Sequence, residues 1–362
     1  MSKVYFADIK VKKIEPKLTL PAKFKRMLKQ FKFKKRAAGK NVGIKMHFGG
    51  NLGYTTIHPL FIRILVKELM DAGAKSVKVM DNNPADAIPR GYVREVLGCE
   101  VVSCFGQTKQ YLYKEKMGLK NLDHVFFGGE AVDCDFFIDL SHVKGHGDCG
   151  FGGALKNIAM GVVNGPSRAK LHLLEGGIVY HPEKCTFCKK CLESCPRGAI
   201  RGDKENKKVH IFFHHCTYCQ HCVMTCPEGA LEMGGRKFED FSKGMAKVTW
   251  KFLKKFKQEE TLFINFLTNI TIYCDCWGLT TPSLVPDIGI LASDDITAVE
   301  KASLDMIKTE DLLPQGIPED RELLEGDGHL FERLHAKDPY LMVNYLGKYM
   351  KSNGEYSIVE VK

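Results

Sequence analysis

The sequence predicts an α/β protein: a mainly parallel sheet flanked by helices, interrupted by a small cysteine-rich α+β module. Three observations lead there. Over residues 1–177, strand-like apolar runs alternate with amphipathic helical runs. Dense cysteines replace that pattern over 178–236. Strand–helix alternation then returns over 237–325 and leaves 326–362 as a C-terminal extension. Strands separated by helices pair in parallel through right-handed crossovers.

The elements follow in order. "KVYFADI" (3–9) reads as the first strand. "PAKFKRMLKQFKFKKR" (21–36) reads as a helix with Pro21 in its first turn and Phe24, Leu28 and Phe31 on one face. "NVGIKMHF" (41–48) is strand-like, and "HPLFIRILVKELMDAG" (58–73) is an amphipathic helix with His58 at its start and Gly73 at its end. "KSVKVMDN" (75–82) is a strand, "IPRGYVREVLG" (88–98) a short helix and "CEVVSC" (99–104) a strand. "FFIDL" (136–140) is a buried strand, followed by a glycine-rich loop and a helix from about Ala154. Beyond the cysteines, 242–258 is a basic helix, "LFINFLTNITIYCDC" (262–276) a strand, and 287–307 strand, loop and helix.

A chain of 362 residues accommodates two domains, or one large domain with an insert. The N-terminus lacks the long apolar run of a signal peptide, and "TLFINFLTNITIYC" (261–274) is too short and polar to span a bilayer, so a cytoplasmic protein is expected. The net charge is +10, but residues 1–40 alone hold 14 Lys and Arg against Asp8 and Glu15. The basic character therefore belongs to one surface. It suits an acidic redox partner or an anionic membrane surface better than nucleic acid, for which no reader motif is present.

Eight of the 14 cysteines lie in two phrases, "CTFCKKCLESCPRGAI" (185–200) and "CTYCQHCVMTCPEGAL" (216–231). Both read C-x2-C-x2-C-x3-C-P, a spacing for iron–sulfur clusters; structural zinc sites lack the final x3-C-P. Residues 178–236 resemble the bacterial two-cluster 4Fe–4S ferredoxins, in which the fourth cysteine serves the other cluster. That resemblance implies two [4Fe–4S] clusters, one on Cys185, Cys188, Cys191 and Cys226, the other on Cys216, Cys219, Cys222 and Cys195. Lys184, Lys189, Lys190, Arg197, Arg201, Arg236 and Lys237 crowd the motifs. Cys99, Cys104 and Cys134 read as core residues.

The densest chemistry elsewhere is "SHVKGHGDCGFGGALKN" (141–157), a glycine-rich turn between a buried strand and a helix. It lies where open α/β sheets bind ligands, and its helix start is expected to favour an anion. His142, His146, Asp148 and Cys149 are candidates for acid–base work or metal ligation. Lys45, His47, Lys156 and Asn157 are candidates for holding an anionic cofactor. Cys274 and Cys276, two apart on an expected strand, would face one side and could form a third metal site with Cys149. The strand ends carrying 141–157, His47 and Cys276 are expected to meet at one edge of the sheet.

With "KMHFGG", "YCDCWG" and both cysteine phrases, this segment resembles a family of iron–sulfur centre proteins in which a domain of unknown function is joined to a 4Fe–4S ferredoxin module. The resemblance spans most of the chain and implies a cytoplasmic protein of bacterial or archaeal anaerobes, without fixing a reaction. The leading expectation is an electron-transfer protein, or an iron–sulfur oxidoreductase if it is an enzyme, passing low-potential electrons to or from a site on the α/β domain. The second is a non-catalytic electron carrier or docking adaptor, and the third a redox-sensing nucleic-acid binder.

Overall fold

The computed structural model describes the chain except residues 51, 52, 214, 217–219, 235–237, 278, 279 and 320. Eight strands form the central sheet: β1 (Ser2–Asp8), β2 (Asn41–Met46), β3 (Ser76–Asp81), β4 (Glu100–Ser103), β5 (Phe136–His142), β6 (Thr261–Leu267), β7 (Gly289–Ser293) and β8 (Tyr356–Glu360). Their order is β8-β1-β7-β6-β5-β2-β3-β4. β7 runs antiparallel to both neighbours, and the other pairs are parallel. The fold is α/β with a mostly parallel sheet. The first strand lies beside β7 and β8, far from β2. Residues 326–362 complete the sheet by supplying its edge strand β8.

Two layers of helix cover the sheet. One face carries α1 (Leu20–Lys29) and α2 (Pro59–Asp71), whose Phe24, Leu28, Ile62 and Leu65 meet Ile44, Ile138 and Ile264 of the strands. The other carries α3 (Ala154–Gly161), α4 (Gly165–Leu174), α5 (Phe238–Leu253), α6 (Ile296–Asp305) and α7 (Tyr340–Met350). Strand side chains alternate between faces. With Ile44, Ile138 and Ile264 toward α1 and α2, Lys45, Asp139 and Asn265 turn to the α3 side, all fully buried. Burying such groups is costly unless each is hydrogen-bonded.

Several expected elements end early for identifiable reasons. The helix expected over 21–36 breaks where Lys32 takes a left-handed conformation, and only a short turn, Phe33–Arg36, follows. Residues 88–98 form a 3-10 turn, Pro84–Arg90, and a short helix, Arg94–Leu97, separated by left-handed Gly91. β6 stops at Leu267 because Asn269 is left-handed and its N–H binds Asp287 Oδ1 at 2.6 Å, turning the chain out of the sheet. Cys274 and Cys276 therefore lie on a turn and a 3-10 segment, Asp275–Trp277, and not on a strand as expected. The glycine loop contains a small hairpin, Lys144–His146 with Gly150–Gly152.

Between α4 and α5, residues 178–234 form a small antiparallel unit. Ile178–Tyr180 pairs with Leu231–Met233, and Ile200–Asp203 with Lys208–Ile211. The unit has its own apolar cluster of Ile178, Ile200, Val209 and Leu231 around Cys191 and Cys222. Its two halves repeat their backbone: Lys189 and Gln220 are left-handed at matching positions, as are Gly198 and Gly229. Because α4 and α5 pack on the α3 face, this unit belongs to that side, and the basic helix α1 to the opposite one. Among the described residues no helix is long and apolar enough to cross a membrane.

Candidate functional site

Parallel strands deliver their carboxyl ends to one edge of a sheet. Here β2, β3, β5 and β6 bring His47, Asp81, His142 and the 268–277 turn to that edge. Residues of 141–157, His47 and Cys276 line one cavity of about 220 Å³ there, joined by Arg168 and His172 from α4. Arg168 and His172 carry no motif, and no sequence signal pointed to them.

Beneath the cavity lies a buried polar network. Lys45 Nζ donates to Asn157 Oδ1 at 2.6 Å, Asp81 Oδ1 at 2.9 Å and Met46 O at 2.9 Å. Asn157 Nδ2 donates to Asp139 Oδ2 at 2.8 Å and Lys45 O at 3.1 Å. Lys45 and Asn157 thus lock α3 to the sheet, with their polar atoms directed inward. Gly161 is required for this closeness, since a Cβ there would strike Lys45 Cε and Nζ. Burial alone would raise the Asp81 carboxyl, but Lys45, His47 and the Phe48 N–H outweigh it and hold it well below the usual range. Asp139 goes the other way: burial raises it well above that range.

The helix start expected to bind an external anion is already occupied. Glu300 of α6 accepts the Ala154 N–H at 2.8 Å and the Leu155 N–H at 3.2 Å. Asn265 Nδ2 also donates to it at 2.9 Å. A Cβ at position 153 would strike the same carboxylate, so Gly153 admits it. Burial pushes Glu300 up to about 7 against these three donors.

His142 is similarly committed. Its Nδ1 meets Asp275 Oδ2 at 3.0 Å and its Nε2 meets Thr268 O at 2.5 Å. Lys144 Nζ donates to the other oxygen of Asp275 at 2.7 Å and to Thr55 Oγ1 at 2.8 Å. Burial, then Lys144, lowers the His142 pKa, against the pull of Asp275. Asp275, between the two cysteines of "CDC", is the anchor of this group, a role its sequence position did not reveal.

The chemistry that faces the cavity is sulfur and nitrogen. Cys274 and Cys276 are paired as a disulfide. Lys156 Nζ lies 3.1 Å from Cys274 Sγ and 3.6 Å from Cys276 Sγ, and burial lowers its pKa. His146 Nδ1 accepts the N–H groups of Asp148 and Cys149 at 3.0 and 3.3 Å, and its Nε2 lies 3.5 Å from Cys276 Sγ. Asp148 Oδ2 lies 3.4 Å from His172 Nδ1, and Glu175 completes a group with them. Cys149 lines the cavity, but its thiol is 1% exposed and burial pushes it far above the ordinary range. The side chain whose candidate ligand atom lies within 4.8 Å of the sulfurs of Cys274 and Cys276 is His47; Cys149, expected there, is not in that group. Cys99, Cys104 and Cys134 sit in or against the core, each pushed up to about 12 by burial.

In the cysteine-rich unit, Cys185, Cys188, Cys191 and Cys226 line one small cavity. Cys195, Cys216 and Cys222 line another; Cys219 lies outside the described residues. The fourth cysteine of each phrase therefore stands with the other phrase. The Ala199 N–H reaches Cys195 Sγ at 3.2 Å, and the Ala230 N–H reaches Cys226 Sγ at 3.3 Å, the same bond in each half. Arg236 and Lys237 lie outside the described residues.

The second cysteine group adjoins the cavity turn. His215 stacks on Tyr273, the residues before Cys216 and Cys274. Buried Lys337 donates to Gly147 O of the glycine loop and to Cys216 O.

No curated protein matches the chain. Among solved structures it is similar to the lactate racemase apoprotein from Thermoanaerobacterium thermosaccharolyticum, at 13% identity and a TM-score of 0.36 over 76% of this chain and 51% of that one. It is similar also to a protein from Thermotoga maritima, at 11% identity and 0.38 over 70% and 52%. The chain spans about half the length of each, and these likenesses are too distant to bear on function. Residues 42–305 match the family described as a domain of unknown function, DUF362, and the chain belongs to that family.

Proposed function

We propose that the protein is an iron–sulfur oxidoreductase that moves single electrons between a docked partner and the cavity at the carboxyl edge of the sheet. Cys185, Cys188, Cys191 and Cys226 would hold one [4Fe–4S] cluster, and Cys195, Cys216, Cys219 and Cys222 the other, in a two-cluster ferredoxin-like module. The donor set fits: the cysteines fall into two crossed groups, and matching backbone N–H groups point at Cys195 and Cys226. N–H···S bonds of this kind tune cluster potentials. Such clusters supply one-electron transfer.

The observation that carries the reading is the junction. Cys188 is exposed, whereas Cys216 is tied through Lys337 to the glycine loop and through the His215–Tyr273 stack to the turn that carries Cys274. Electrons would enter at the first group and leave toward the cavity from the second. At the cavity Lys156, with its lowered pKa, supplies a positive charge or a proton beside the sulfurs, and Arg168 supplies a second cation for an anionic substrate group.

The alternative is a carrier or adaptor whose α/β part only docks a partner. It draws on the inward commitment of Lys45, Asn157 and His142, which leaves fewer groups for turnover. Anaerobic purification with iron and acid-labile sulfide analysis tests the common core of both, with about eight of each expected per chain. About two zinc ions and no sulfide would overturn it.

A further inference from the structure

We propose that His47, Cys274 and Cys276 form a metal site for a thiophilic ion of the zinc class, with one coordination position left open toward the cavity. The proposal is independent of whether the cysteine-rich unit carries iron.

Three ligand atoms, one imidazole nitrogen and two sulfurs, lie within 4.8 Å of one another. Mixed nitrogen and thiolate donors select zinc-class or cuprous ions over magnesium or calcium. Three protein ligands with a free fourth position are the pattern of reactive rather than closed zinc sites.

The tautomers of two histidines decide which one ligates. His47 Nδ1 lies 3.2 Å from Asp81 Oδ2, an acceptor only, so Nδ1 carries the proton and the lone pair is on Nε2. That Nε2 is buried with no hydrogen-bond partner among the described residues. Asp81 is fixed in turn by Lys45 and the Phe48 N–H, giving the carboxylate–histidine support usual behind a metal ligand. His146 has the opposite arrangement. Its Nδ1 accepts two backbone N–H groups, so its Nε2 carries the proton and points it at Cys276 Sγ. His146 is a second-layer donor to sulfur, not a ligand.

The backbone fits this purpose. The Gly50 N–H donates to Asp275 O at 2.9 Å, clamping the turn after His47 to the C-x-C segment. Gly49, at φ +73°, has no room for a Cβ beside the Asp275 side chain. Lys156 stands beside both sulfurs, where its charge stabilises thiolates. Cys276 is exposed, which gives an ion its path in.

The site forms from the reduced pair. A water-soluble phosphine breaks the Cys274–Cys276 bond, is oxidised to the phosphine oxide with oxygen from water, and leaves two thiols. Those thiols release two protons when they bind the ion.

The test uses the full chain, purified anaerobically with whatever metal the cysteine-rich unit carries left in place, treated with the phosphine and titrated with zinc against a chromophoric chelator. One zinc per chain is expected, with sulfur at about 2.3 Å and nitrogen at about 2.0 Å in the zinc-edge absorption spectrum. Cys276→Ser and His47→Gln should each weaken binding at least tenfold, and Asp81→Asn by about 10- to 100-fold. Cys149→Ser should leave it unchanged. Equal zinc binding before and after phosphine treatment would overturn the site, as would a zinc spectrum that survives Cys274→Ser/Cys276→Ser. Circular dichroism of Cys276→Ser, a conservative change at an exposed position, separates loss of ligand from loss of fold.

Discussion

His215 and Tyr273 stack with ring centroids 5.6 Å apart and planes 18° from parallel. One ring precedes a cysteine of the second group, and the other precedes the first cysteine of the C-x-C turn. Arg321 Nη2 lies 3.0 Å from His215 Nδ1 and holds that ring, while Tyr273 also rests on His335. Two units with separate apolar clusters therefore meet through aromatic and backbone contacts at the place where chemistry would have to pass.

Lys337 is the charged element of the same junction. It is 1% exposed, lies 3.5 Å from the Glu175 carboxylate, and donates to carbonyls on both sides. Lys337→Met removes the cation from a buried pair, which typically costs ~3 kcal/mol or more and lowers the melting temperature by roughly 4 °C or more. Adding Glu175→Gln should recover at least about 1 kcal/mol, because the carboxylate then no longer needs a counter-charge. Thermal melts of the three proteins check this, and a single-variant loss under about 1 kcal/mol would refute it.

Crossed grouping makes a specific prediction for the iron. Cys195→Ala should disturb the cluster of Cys216, Cys219 and Cys222, and Cys226→Ala that of Cys185, Cys188 and Cys191. Electron paramagnetic resonance of the reduced variants should show a different surviving signal in each case. The uncrossed pairing is correct instead if Cys195→Ala removes the signal that Cys188→Ala also removes.

Glu300 makes stability depend on pH. Its folded pKa is about 7 against an ordinary 4.5, so between those values the folded protein keeps a proton that the unfolded chain has released. The contribution is complete below about pH 4.5 and is lost as pH rises through 7, in total about 3 kcal/mol. Urea unfolding at pH 5 and pH 8 should show the wild type losing about 2–3 kcal/mol relative to Glu300→Gln over that range. Parallel pH dependences of the two proteins would exclude it.

The sequence made some of this legible and hid the rest for physical reasons. Cysteine spacing is local, so the two repeated phrases stood out in the sequence directly. The meeting of His47, Lys156 and Cys276 followed from strand ends that parallel topology gathers at one edge. Asp81 and Glu300 were not readable, because their roles depend on partners 36 and 146 residues away. In isolation Asp81 is one acid near the end of a strand, and Glu300 is one acid within a helix. The extent of β6 was misread because "TNITIYC" is rich in β-branched residues. A single left-handed Asn269, held by Asp287, outweighs that propensity and turns the C-x-C pair into the cavity.

The basic N-terminal segment offers the last test. Phe24, Leu28 and Phe31 are buried against the sheet, and Lys25, Lys29, Lys32, Lys34 and Lys35 are exposed. This surface lies on the face opposite the cysteine-rich unit, so an electron donor docked there would be separated from the cysteines by the whole sheet. Lys189 and Lys190, both exposed beside Cys188, are better placed. With an acidic flavodoxin as donor, Lys189→Glu/Lys190→Glu should slow reduction of the protein about tenfold at low salt. Lys29→Glu/Lys34→Glu should leave that rate unchanged. The wild-type rate should fall as ionic strength rises past ~0.1 M, where screening acts within about 10 Å. Equal slowing by both pairs would return the docking surface to α1, and a rate indifferent to salt would rule out charge-steered docking at either surface.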